Sequence, residues 1–217
     1  IAKENGEAMH LACTRSFFDA SIKADELFPY APAAGLPALR KAWLERQLSS
    51  NPSLKPGASS LPLPTTGITH GLSLTGELFV EEGDEIILAD QLWGNYRQIY
   101  ANRFGAELKY FSFFNKSNTG FNIAGFREAL DQSKQKKTIV LLNFPNNPTG
   151  YNISEGEAQQ ICALLKERAE QGRRFVVIND DAYFGMFFDK ASLQESLFAR
   201  LATLHEHIIT VKLDGAT

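Results

Sequence analysis

Cysteine is scarce: Cys13 and Cys162 stand alone in 217 residues, with no CxxC pair and no metal-ligand spacing around either. A disulfide scaffold and a metal site are excluded on that count. Both thiols read as reduced, and Cys162 falls on the apolar face of a helix. Positive charge is also short, with 22 Lys and Arg against 25 acidic residues, a net charge of -3 and no basic cluster. Nucleic acid is therefore not an expected partner, and any anion must be held locally. No apolar run approaches membrane-spanning length, and the N-terminus lacks a basic and then apolar leader. No membrane partner is expected, and the reading is a cytoplasmic protein. Internal repeats and low-complexity tracts are missing, and the polar Ser49 to Ser60 stretch is the nearest thing to a linker. Gly67-Ile68-Thr69-His70-Gly71 lacks the dinucleotide glycine spacing, which sets aside an NAD-type Rossmann protein. The chain opens at Ile1 without Met and stops at Thr217 just past a strand, so a piece of a longer chain, truncated at both ends, is expected.

What is present is 44% hydrophobic, enough for one sizeable core. The run Thr138-Ile139-Val140-Leu141-Leu142 has no polar alternation and reads as a strand buried on both faces. It ends in Asn143-Phe144-Pro145-Asn146-Asn147-Pro148-Thr149-Gly150, a sharp turn presenting side-chain amides. A second buried run, Phe175-Val176-Val177-Ile178, leads into Asn179-Asp180-Asp181-Ala182-Tyr183. Between them, Ser154-Glu155-Gly156-Glu157 is a capping box, and Ala158, Ile161, Cys162, Leu165 and Ala169 follow at helical spacing. Strand, amphipathic helix, strand is a parallel unit, which puts Asn147 and Asp180 on one edge of a sheet. In an open α/β sheet that edge forms the ligand crevice.

The remaining elements read as follows. Residues around Met9 to Phe18 suggest a helix with no chemistry of its own, His10 being a packing or surface residue. Pro37 opens a helix after the turn Tyr30 to Leu36. Leu61 to Thr66 suggests a strand and Gly67 to Phe79 a helix, whose first turn offers free N–H groups, the Thr69 hydroxyl and the dipole to a phosphate; Thr69 suits an ordinary helix start equally well. Ile86 to Ala89 is a strand followed by Trp93-Gly94-Asn95, where the indole either caps a core or offers a flat face to a flat ring. Asn95 to Phe104 is expected as helix, Glu107 to Phe114 as strand, Ile123 to Gln132 as helix, Ser192 to Leu204 as helix and Ile208 to Asp214 as strand. His205 and His207 read as solvated residues between the last two.

Taken in order, Tyr30 with Gly35-Leu36 and Leu39-Arg40, Gly67-Ile68-Thr69, Trp93-Gly94-Asn95, Asn147-Pro148-Thr149-Gly150 and Asp180-Asp181-Ala182-Tyr183 resemble the fold type I pyridoxal 5'-phosphate (PLP)-dependent aminotransferases of class I/II, the aspartate aminotransferase superfamily. The resemblance implies an α/β three-layer sandwich with a mostly parallel sheet. Residues 1-28 would be an N-terminal segment and 29-217 an incomplete PLP-binding large domain, with a C-terminal small domain beyond it. It implies a phosphate held by Ile68 and Thr69, a ring stacked on Trp93, a ring nitrogen met by Asp180 and a ring oxygen met by Asn147 and Tyr183. Tyr30 would reach the phosphate of the partner subunit in a homodimer. Asp181 would face the other way and tolerate Asn.

The implied reaction carries an amino group from an L-amino acid to a 2-keto acid by way of a lysine internal aldimine and a pyridoxamine form. Gly215-Ala216-Thr217 fills the first three places of the family's lysine turn, so that lysine is expected immediately after Thr217, with Lys212 as runner-up. The arginine that grips the substrate carboxylate is expected beyond Thr217 as well. Another fold type I PLP enzyme, a β-lyase or an aminocyclopropane-carboxylate synthase-like lyase, would share every residue named, and a non-catalytic regulatory domain of this fold is the alternative of a different class.

Overall fold

The aliphatic runs become one parallel sheet of five strands: β1 (Glu85–Ala89), β2 (Glu107–Phe111), β3 (Lys137–Asn143), β4 (Arg174–Asp180) and β5 (Ile208–Leu213), in the order β2-β1-β3-β4-β5. The computed structural model describes residues 3–7, 13, 16, 23 and 28–215, and residues 1–37 and 38–217 form separate units. The helix expected at Met9 to Phe18, with His10, falls outside the described residues except for Cys13 and Ser16, as do Ala216 and Thr217.

Within residues 38–217, alternate side chains of each central strand enter different cores. Ile139 and Leu141 of β3 and Val176 and Ile178 of β4 pack with Ile86 and Leu88 against Leu72, Tyr96 and Tyr100. Val140 and Leu142 of β3 and Phe175 and Val177 of β4 pack on the other face with Phe111, Phe126, Leu130, Ile161 and Leu165. Each such side chain contributes about 1.5–3 kcal/mol on burial, which explains why the central strands lack polar alternation. The helices covering the first face are α2 (Gly67–Phe79) and a segment wound as a π-helix over Arg97–Arg103; α3 (Ile123–Gln132) and α4 (Glu155–Glu170) cover the second. The three layers expected from the sequence are therefore present. α1 (Pro37–Ser50) begins on its proline, and the α4 capping box closes in both directions between Ser154 and Glu157.

Two details place the sheet edge that matters. The switch in strand order lies between β1 and β3, so the carboxyl ends of these strands diverge around a crevice lined by Gln91, Tyr96, Asn143 and Asn146. Gly71 lets α2 settle against β5, since a Cβ there would stand 2.9 Å from Leu213 Cδ2.

Several expectations are corrected. Leu61 to Thr66 forms no strand: Pro62 and Pro64 carry no N–H, and the Leu61 and Pro62 carbonyls accept from the Arg40 guanidinium at 3.2 and 2.7 Å. β2 stops at Phe111 because Asp90 Oδ1 accepts the Phe113 N–H at 2.9 Å, turning the chain toward a bridge with Phe121. The Ser192 to Leu204 helix shrinks to α5 (Phe198–Leu201), since the Leu193 N–H donates to the Ile153 carbonyl at 2.7 Å and the Ser196 N–H to Asn51 Oδ1 at 2.8 Å. That second bond makes Asn51 a buried anchor rather than part of a linker. His205 and His207 are half-buried, not solvated; their rings meet edge to face at 5.0 Å, and His207 Nδ1 lies 3.1 Å from the Ala169 carbonyl. Cys162 is buried as expected, and desolvation pushes its thiol up to about 11.

Candidate active site

The register of β3 on β4 sets Asn143 beside Asp180 at the carboxyl ends of both strands. Asn143 Nδ2 donates to the Asp180 carbonyl at 2.7 Å, and Asn143 Oδ1 accepts the Asn147 N–H at 2.7 Å. One buried amide thus ties the turn bearing Asn147 to the strand bearing Asp180. Asn146 stiffens the same turn by accepting from the Thr149 hydroxyl at 2.7 Å and donating to the Gln91 carbonyl at 3.1 Å. The Asn147 side chain is half-buried and makes no hydrogen bond to the described residues.

Asp180 is 3% exposed. Its Oδ2 accepts from the Tyr96 hydroxyl at 2.6 Å and its Oδ1 from the Ala182 N–H at 3.1 Å. Burial pushes this carboxyl above the usual range, while the Tyr96 and Ala182 donors and the charge of Lys212 pull it back toward ionisation. Tyr96 lies edge-on to Trp93, ring centroids 5.7 Å apart at 83°. Burial first, and the Asp180 charge second, hold the Tyr96 phenol well above its ordinary value, so it stays a donor. Trp93, Tyr96, Asp180, Asn143 and Asn147 therefore form one chain of contacts. Ile68, in the first turn of α2, packs against the same hydrophobic cluster as Trp93 and Tyr96.

Thr69 is exposed in that first turn. Thr66, the N-cap residue, makes no side-chain capping bond, and while the Gly67 N–H donates to the Thr65 carbonyl at 2.9 Å, the Ile68 and Thr69 N–H groups make no hydrogen bond to the described residues at the positive end of the dipole. Tyr183 lies in the turn after β4, 40% exposed, with no hydrogen bond from its hydroxyl among the described residues. Tyr30 belongs to residues 1–37, where it is 92% exposed. Lys212 is committed elsewhere: its Nζ lies 2.9 Å from Asp181 Oδ2 and 2.5 Å from Asp214 Oδ2, and 4.5 Å over the Phe184 ring, with all three charged side chains buried. Asp181 does face away from Asp180, but it is no tolerant surface residue. It also accepts from the Ser196 hydroxyl at 2.5 Å.

The donor set is chemically uneven. A helix start without a side-chain cap, a flat indole, a buried carboxylate and two neutral donors without partners among the described residues are of the kinds that suit a flat aromatic ring with a phosphate at one end and a basic nitrogen at the other. The model for aminotransferase class I and II matches residues 10–212. The chain belongs to this family, whose members depend on pyridoxal phosphate. The probable aspartate/prephenate aminotransferase of Aquifex aeolicus is 29% identical over 177 residues, 79% of this chain and 39% of its own. The probable N-acetyl-LL-diaminopimelate aminotransferase of Bacillus subtilis is 27% identical over 175 residues, 81% of this chain and 42% of its own. A crystal structure of an aminotransferase from Anaerococcus prevotii superposes with a TM-score of 0.85 at 28% identity, over 98% of this chain and 51% of that one. The chain thus spans about two-fifths of the length of the curated relatives it matches.

Three contributors escaped the sequence reading. Asn143 is read only as part of the amide-bearing turn and Tyr96 not at all, though Tyr96 directly follows Trp93-Gly94-Asn95 and Asn143 ends the apolar run of β3. The pairing of Asp181 with Lys212 had no such signal, because strand register alone brings them together.

Proposed function

We propose that this chain is the cofactor-binding part of a PLP-dependent aminotransferase that moves an amino group from an L-amino acid to a 2-keto acid. The observation that carries the reading is the contact chain from Trp93 through Tyr96, Asp180 and Asn143 to Asn147 at the carboxyl ends of β3 and β4. Bound PLP supplies an electron sink for the α-carbon of the amino acid. The residues of the chain bind and bias it. Ile68 and Thr69, at the positive end of α2, hold the phosphate without any net basic charge. Trp93 fixes the ring plane. Asp180 accepts the ring N–H, and its carboxylate keeps a proton on that nitrogen. Asn147 and Tyr183 donate to the ring oxygen. The large domain is proposed at residues 29–217 with 1–28 as an N-terminal segment, while the compact units of the structure divide after Pro37.

Lys212, with its Nζ 2.9 Å from Asp181 Oδ2 and 2.5 Å from Asp214 Oδ2, is already engaged, and the resemblance of Gly215-Ala216-Thr217 to the family's lysine turn supports an anchoring lysine at the next position. Full-length protein is expected to bind PLP with a visible absorbance that changes on adding amino acid and releases a keto acid. Borohydride reduction should leave a pyridoxyl group on a peptide downstream of Lys212. A protein that neither carries nor takes up PLP would refute the assignment, and pyridoxylated Lys212 would refute the choice of anchor.

The exposed Tyr30 fits a homodimer with shared sites, located in the cytoplasm. Mixing inactive Tyr30→Ala and Asp180→Ala full-length variants is then expected to restore part of the activity through hybrid dimers. Verified subunit exchange without recovery would count against shared sites.

A further inference from the structure

Tyr96 makes contacts on both sides of the ring-binding arrangement. Its hydroxyl donates to Asp180 Oδ2 at 2.6 Å, its ring edge meets Trp93, and its N–H donates to the Trp93 carbonyl at 3.1 Å. It is 1% exposed, so neither the ring nor the hydroxyl has room to move independently. One turn further along the same helix the Tyr100 hydroxyl lies 2.8 Å from Thr75 Oγ1 of α2, the helix whose first turn carries Ile68 and Thr69. The π-winding starts between these two tyrosines, at Arg97, and both are buried on the sheet side. The helix is thereby pinned at one point to the carboxylate and at the next to the phosphate-side helix.

We infer that Tyr96 is a positioning residue for the proposed reaction: through its hydroxyl it fixes the orientation and charge of Asp180, and through its ring it fixes the plane of Trp93. The inference rests on the proposed cofactor assignment. A phenol suits the task because it donates one proton to the carboxylate and cannot itself become a competing cation in the site. A charge-assisted bond of this length also selects one carboxylate rotamer, leaving Asp180 Oδ1 to the Ala182 N–H. The other titratable groups that influence this pair are Lys212 from β5, Tyr183 from the turn after β4 and Tyr100 from the same helix as Tyr96, and none of them changes when only the Tyr96 hydroxyl is removed.

The test uses full-length protein saturated with PLP and compares Tyr96→Phe, Tyr96→Leu and Asp180→Ala. Tyr96→Phe keeps the contact with Trp93 and loses the donor. Its kcat is expected to fall about tenfold with little change in KM, and the acidic limb of its kcat profile and of its absorbance titration should move to higher pH, because Asp180 then protonates more readily. The visible circular dichroism of the bound cofactor should keep its form. Tyr96→Leu should in addition weaken or reverse that dichroism as the indole loses its edge contact. A residue that only fills space would lower activity without moving either pH midpoint. An unshifted titration and unchanged kcat in Tyr96→Phe, alongside an altered Asp180→Ala, would overturn the role of Tyr96. Unaltered spectra and turnover in Asp180→Ala would instead overturn the cofactor assignment on which it rests.

Discussion

Asp180→Asn in the full-length protein is expected to cut turnover at least a hundredfold while leaving the PLP-free protein more stable than wild type. The first effect follows from the loss of a charge opposite the ring nitrogen in a closed site, worth about 3 kcal/mol or more of transition-state stabilisation. The second follows from the burial of Asp180. Its carboxyl is raised from 3.8 chiefly by desolvation, so the folded state favours the neutral form and ionisation costs folding energy. That cost is absent below the unfolded value, grows as pH rises from there to the folded value, and is constant above it. Asparagine keeps an acceptor for Tyr96 and removes the cost, while the Ala182 N–H, which Asp180 Oδ1 accepts at 3.1 Å, then faces the amide nitrogen and offsets part of the gain. Urea unfolding without PLP should show the variant and wild type converging in acid and separating across that window. A variant less stable than wild type at neutral pH, or one with wild-type turnover, would contradict the account. The pairing of lost activity with gained stability is what a group held charged for a ligand should show.

Much of this site was legible before any coordinates. The buried strands, the α4 capping box and the turn at Asn147 are written in local residue choice, and local choice is what a sequence displays. The parallel unit then fixed which side of the sheet Asn147 and Asp180 share. Where the reading failed, long-range partners overrode local pattern. Leu61 to Thr66 looks like a strand, but Arg40 claims its carbonyls and its prolines cannot join a ladder. Ser192 to Leu204 has helical composition, yet Ile153 and Asn51 capture its first N–H groups. Asp181 resembles a spare neighbour of Asp180, and only the pairing of β4 with β5 shows that it faces a lysine.

That lysine carries the second large prediction. Lys212→Met leaves Asp181 and Asp214 buried without their cation, and Gln47 Nε2, 2.5 Å from Asp214 Oδ2, is a neutral substitute for only one of them. Removing one member of a buried ion group costs about 3–5 kcal/mol, because the remaining charges stay desolvated. The variant is expected to lose that much at neutral pH. Burial already raises the Asp181 carboxyl, and the Lys212 charge is the largest influence opposing it, so without Lys212 it rises further. The deficit should therefore be small in acid, where the Asp181 carboxyl is protonated in both folded and unfolded chains, and grow as pH rises past 3.8. Asp181→Asn alone should cost less, since Lys212 keeps Asp214. Combining it with Lys212→Met should cost less than the two separately, because the second change removes a charge that the first left stranded. The turn after β4 feels the same loss: Phe184 sits under the Lys212 ammonium one residue from Tyr183, so PLP should bind more weakly to Lys212→Met even where the protein remains folded. Urea unfolding across pH, with PLP titration of each folded variant, decides it. A Lys212→Met protein within about 0.5 kcal/mol of wild type at neutral pH would show that the ion group does not hold these strand ends together.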